Sequence, residues 1–216
     1  MNLAWASFVF RIFVTTNYTY LTVIVPAEYQ KLNPLPEDPE GCVSYGKQTE
    51  NALCMVSLYP IDPEDAMDFN AKKALIDGIH HTLAENQALI EVENGRRISG
   101  FPYIYSIVKT YNGEEEGVGY TLVLDFLLRP NSSVVRVQGF FQEYGVTGVR
   151  DASVYAHLSQ EDKGFSEDKW FFDPYDPDSE APYKMNQSEL AEYDNLFPDH
   201  PLSQCRMLIR HYKENF

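Results

Sequence analysis

Basic residues are scarce in this chain. Its 216 residues hold 17 Lys and Arg against 32 Asp and Glu, a formal net charge of −15 at pH 7. A protein that grips nucleic acid neutralises phosphates with clustered Lys and Arg. The densest groups here, Lys72-Lys73, Arg96-Arg97 and the set Arg206, Arg210, Lys213, sit beside carboxylates or are split by neutral residues. Nucleic acid and anionic membrane surfaces are therefore not expected as partners, and a cationic partner is favoured. Cysteine is scarce as well. Cys42, Cys54 and Cys205 are odd in number and widely spaced, so neither a disulfide framework nor a structural zinc site is expected, and a reducing cytoplasm is the simplest location. Long apolar runs are missing too. Met1 to Val14 is apolar but short, lacks a basic start and is broken by Arg11, which argues against a signal peptide or a membrane span. No G-x-S-x-G elbow, P-loop pattern, internal repeat or low-complexity tract occurs.

What is present is material for a core. The chain is 44% hydrophobic and 14% aromatic, and a chain of this size removes roughly 70% of its unfolded surface on folding. One domain, or one domain with an appendage, accounts for the length. Phe8 to Val14 and Tyr18 to Val25 are rich in β-branched and aromatic residues, which predicts two strands joined at Thr15-Thr16-Asn17. Asn51 to Tyr59 predicts a further strand. Asp62 followed by Pro63 predicts the start of a helix reaching Glu85, with Phe69, Ile76, Ile79 and Leu83 on its apolar stripe.

The clearest pattern is a three-strand antiparallel meander: Phe101 to Tyr111, a Gly-Glu-Glu-Glu-Gly turn, Val118 to Leu128, a turn opened by Pro130, and Val134 to Glu143. In the middle strand Tyr120, Leu122, Leu124, Phe126 and Leu128 share one face, while Thr121, Val123, Asp125, Leu127 and Arg129 share the other. The next strand repeats a polar face with Arg136, Gln138 and Gln142. One side of the sheet is expected beneath helix and the other partly open to water. Beyond Ala156, residues 161–185 form an acidic, aromatic, Asp-Pro-rich arm. Residues 186–216 hold a short helix opened by an Asn186/Glu189 capping box, then a last helix opened by Pro201 whose Leu202, Cys205, Ile209 and Tyr212 share one side. The expected organisation is a domain over 1–160, the arm, and a helical pair docked on the domain.

Candidate chemistry is thin. His80 and His81 are adjacent, and residues about 100° apart on a helix cannot share a metal. His157, His200 and His211 have no nucleophile nearby in sequence. Asp173, Asp176, Asp178 and Glu180 gather oxygen ligands, yet they lack EF-hand spacing, so a solvated acidic loop is expected in place of a cation site. Glu114, Glu115 and Glu116 read as a soluble hairpin tip, and Cys54 and Cys205 as small buried hydrophobes.

The order of elements, with the aromatic strand Tyr18 to Tyr29 at its start and the corner from Glu143 to Asp151 at its close, resembles the PsbP-like superfamily. That superfamily includes PsbP itself, the Ran-binding Mog proteins and bacterial Eag chaperones. The likeness spans Tyr18 to Ala156. It implies an α+β fold, a curved antiparallel sheet packed against helices in an α/β/α sandwich, here with a C-terminal helical extension. It also implies a bacterial protein-binding module, chaperone- or adaptor-like, without a cofactor. On the residues themselves, the polar-aromatic sheet face carrying Asp125, Arg136 and Gln138 is the expected partner surface. Two competing readings stand beside it. One is a hydrolase built from His80 or His157 with a distant carboxylate, and the other is a structural homo-oligomer, such as a homodimer, joined through the apolar N-terminal strand.

Overall fold

In the computed structural model of the chain, residues 8–14, 19–127, 134–161 and 165–215 are described, with side chains from Val25 onward. Two strands, β1 (Phe8–Val14) and β2 (Thr19–Val25), pair antiparallel as a two-stranded sheet of their own, and Val25 joins the core. The turns expected at 15–17 and 130–133 lie outside the described residues. A short β3 (Gln30–Lys31) and β4 (Val43–Gln48) lead into β5 (Ala52–Ile61), helix α1 (Lys72–Thr82) and β6 (Gln87–Arg96). The meander follows as β7 (Pro102–Tyr111), β8 (Val118–Leu127) and β9 (Val134–Glu143). Helix α2 (Val149–Glu161) comes next, then the small pair β10 (Phe171–Phe172) and β11 (Met185–Asn186), and finally α3 (Pro201–Glu214). Strands β3 to β9 form one antiparallel sheet in the order β3-β4-β5-β9-β8-β7-β6. The fold is α+β.

Antiparallel register fixes which side chains share a face, because residues directly opposite one another point the same way. Leu58, Val137, Leu124 and Tyr105 form one row of the first face, and Val56, Gly139, Leu122 and Ile107 the next. All are buried, and Leu202, Cys205, Leu208, Ile209 and Tyr212 of α3 complete the same core. Phe126 stacks on Tyr212 with centroids 5.8 Å apart. The expected side of the last helix is therefore the buried one, and its Pro201 opens it with His200 as the cap.

The second face carries the rows Tyr59-Arg136-Asp125-Ile104-Asn94, Ser57-Gln138-Val123-Ser106-Val92 and Met55-Phe140-Thr121-Val108-Leu89. Helix α1 packs against β6, where Leu89 and Val92 are buried. It begins only at Lys72, not at Asp62. The intervening residues cross the sheet instead, because polar groups of the second face satisfy their backbone: Met67 N donates to Asp125 Oδ2 at 2.9 Å, and Asp65 O and Phe69 O accept from Arg136 (3.1 Å) and Asn94 (2.7 Å). The expected stripe of Phe69, Ile76, Ile79 and Leu83 is half-buried, and no residue of α1 is fully buried.

Strand β6 and helix α2 were not anticipated from sequence. In β6 the alternation breaks at a bulge between Leu89 and Glu91. Helix α2 buries little apart from Val154 and Arg150, so its apolar period is faint. The capping box is present: Asn186 accepts from Ser188 N and Glu189 accepts from Asn186 N at 2.8 Å. It closes a single 3₁₀ turn over Gln187–Glu189. In the arm, Trp170 is buried and meets Tyr155 and Phe165 edge-to-face.

Candidate functional site

The two faces of the sheet treat charge in opposite ways. On the first face, α3 and the segment before it are fastened by ionic groups out of water. Lys109 Nζ lies 3.0 Å from Glu189 Oε1, and Tyr120 donates to the same oxygen at 2.7 Å. Burial works most strongly to discharge Lys109, but the Glu189 carboxylate together with Tyr183 and Asp151 outweighs it and holds the ammonium above its ordinary value. Arg206 of α3 binds Glu91 at 2.8 Å and Asp194 at 3.2 Å. Arg150, fully buried at the start of α2, donates to Ser188 O, Leu190 O, Ser203 Oγ and Asp194 Oδ1. One guanidinium thus satisfies carbonyls that the irregular 187–194 segment would leave without partners. Helix α3 covers this face.

The second face is graded. At one end Asp125, with no exposed surface, receives Arg136 Nε at 2.8 Å and Nη2 at 2.7 Å. This forked pair, directly opposite in register, is roofed by residues 65–67. Gln138 lies one row on and accepts from Tyr59 at 3.0 Å. At the other end no described residue continues the roof. Met55 and Phe140, opposite each other, are 42% and 41% exposed, and Leu53, two residues along β5, is 40% exposed. They border an open groove of about 580 Å³ that Leu32, Gln30, Gln48 and Gln142 also line. Exposed aliphatic and aromatic side chains on adjacent strands, rimmed by amides, are what a protein interface presents.

The structure therefore brings Asp125, Arg136 and Gln138 onto one face, as their spacing implied. Asp125 and Arg136 are engaged with each other at the roofed end, and Gln138 lies one row from Phe140. Sequence reasoning missed Leu53, Met55 and Phe140. Their signal was that β5 is apolar at nearly every position, so its second face carries Leu53 and Met55 where a solvated strand would carry polar residues.

The imidazoles named for a hydrolase lie apart. His80 Nε2 stands 3.2 Å from Asp173 Oδ2, a contact that ties the arm to α1, while His157 is exposed on α2. Tyr175 of the arm accepts from Val92 N at 2.6 Å on the outer edge of β6. Asp173 also accepts from Tyr175 N and Asp176 N, forming a turn, and Asp176 and Asp178 are exposed. Among the described residues no three His, Cys, Asp or Glu side chains converge to hold a metal ion, and no helix is long and apolar enough to cross a membrane. Burial pushes the Cys54 thiol up to about 11 and raises that of Cys205 further from reactivity.

No family model and no curated protein sequence matches the chain. Among solved structures, the 1.9 Å crystal structure of the Saccharomyces cerevisiae Ran-binding protein Mog1p is similar, with 12% identity and a TM-score of 0.40, over 73% of this chain and 84% of that one. The fold class rests on the sheet and helices described above, and Ran binding stays a property of Mog1p.

Proposed function

We propose that this chain is a non-enzymatic protein-binding module, adaptor- or chaperone-like, that receives its partner on the open end of the second sheet face. The observation that supports this reading is the contiguous apolar strip of Leu53, Met55 and Phe140 beside an open groove, on a sheet whose opposite face is covered by α3. Gln138, one row from Phe140, serves as the polar border of the strip, and Arg136 lies one row further on, held by Asp125. The net charge of −15 favours a partner segment that carries cationic groups next to apolar ones. A reducing cytoplasm belongs to the proposal on the cysteine count alone.

The direct test replaces Phe140 with a photo-crosslinking phenylalanine analogue in cells of the source organism. A covalent adduct to one particular protein is the expected result. Crosslinks only to a second copy of this chain would transfer the assignment to a homodimer, and an absence of adducts would overturn it.

A further inference from the structure

A second site lies on the other side of the sheet, beyond the end of β9, and it is independent of the partner surface proposed above. Glu143 closes β9, and its carboxylate is fixed by two backbone donors, Val118 N to Oε2 and Gly148 N to Oε1, both at 2.9 Å. Facing it is His200, the cap of α3. His200 Nδ1 accepts from Leu202 N at 3.2 Å and lies 3.5 Å from Arg150 Nη1, so Nδ1 is the acceptor nitrogen and the ring proton sits on Nε2. That Nε2 lies 3.8 Å from Glu143 Oε1, too far for a direct hydrogen bond. Both residues line a cleft of about 200 Å³ whose walls include Val146, Val149, Leu196 and Phe197. Val146 and Leu196 are each 70% exposed, so an apolar rim surrounds a polar floor.

Charge narrows what fits. The N-termini of α2 and α3 and the Arg150 guanidinium all face this corner, and the Glu143 carboxylate offsets them. A carboxylate ligand would meet Glu143, and an ammonium ligand would meet Arg150 and the helix ends. A neutral group that accepts from His200 Nε2–H and donates to Glu143 satisfies both sides, and a carboxamide has its donor and acceptor on adjacent positions. Burial and the neighbouring Arg150, Lys109 and Arg206 keep His200 neutral, which preserves this pattern at neutral pH.

We infer that the His200–Glu143 cleft binds a neutral carboxamide carried on a short apolar stem, as in a Gln or Asn side chain or a small free amide.

NMR titration of the full chain with acetamide, butyramide, acetate and methylammonium tests this. Acetamide is expected to shift the Gly148 amide and the His200 ring saturably at millimolar concentration, with butyramide about 3–10-fold tighter because its stem meets the apolar rim. Acetate and methylammonium are expected to give no saturable shift. His200→Asn keeps a cap acceptor and removes the Nε2 donor, and should weaken acetamide at least about 10-fold. Leu196→Ser, at an exposed position that cannot unfold the chain, should erase the butyramide advantage and leave acetamide unchanged. No saturable acetamide shift, equal binding of acetate or methylammonium, or unaltered binding by a folded His200→Asn variant would overturn the assignment.

Discussion

The first face, covered by α3, and the graded second face are built on the same strands, and they differ in what lies over them. Over the first, α3 and the turn before it contribute ionic groups, so Lys109 of β7 finds a buried partner in Glu189 while Glu91 and Glu93 of β6 pair with Arg206 and the half-exposed Lys213. Over the second, α1 and residues 65–69 reach only the β6 side and the Asp125 end. The comparison teaches that a sheet with apolar residues on both sides is not thereby a sheet with two cores. Among the described residues nothing roofs Leu53, Met55 and Phe140, and this face keeps apolar surface there.

The comparison breaks most sharply where a buried charge loses its partner. Glu189→Ala takes away the carboxylate that Lys109 and the Tyr120 hydroxyl share out of water, and should cost about 3–5 kcal/mol in a denaturation experiment. A loss under about 1 kcal/mol would mean that water reaches Lys109. Ile209→Ala removes a fully packed side chain between α3 and the sheet, and should cost about 2–5 kcal/mol by thermal or chemical unfolding.

The next effect is a pH slope. His200 is held well below its ordinary value of 6.5, first by burial and then by Arg150, Lys109 and Arg206, with Glu143 the carboxylate facing it. From pH 6.5 downward the unfolded chain takes up a proton that the folded chain refuses. Stability should therefore fall on acidification through that window, by at most about 1.4 kcal/mol per pH unit, and level off once the folded imidazole also protonates. His200→Asn should flatten this contribution when unfolding is measured between pH 7 and pH 5. The smallest change belongs to the half-covered side: Ile79→Ala, on a helix with no fully buried residue, should cost about 1 kcal/mol.

Much of this was legible in the sequence, and the reason is local. The β7–β9 meander announced itself because alternation and turn chemistry agree there. The Asn186/Glu189 box and the Pro201 start were readable because capping is a short-range pattern. The helix start at Asp62 was misplaced because Asp125 and Arg136, far along the chain, capture the backbone of residues 65–67. Strand β6 hid behind its bulge, and Arg150 could not be recognised as a hub before the 187–194 carbonyls were known to surround it. The apolar strip was visible as composition in β5, but only the absence of a roof makes it a surface.

The central claim is that Met55 and Phe140 are kept for a partner and not for the fold. The most direct measurement takes Met55→Ser/Phe140→Ser and records its unfolding midpoint together with its capture of the protein that crosslinks at position 140. The account predicts a stability loss of less than about 1 kcal/mol per substitution, as suits side chains already near half exposed, with capture abolished. A variant that unfolds like a core mutant, or one that stays stable and still captures the same protein, would contradict it.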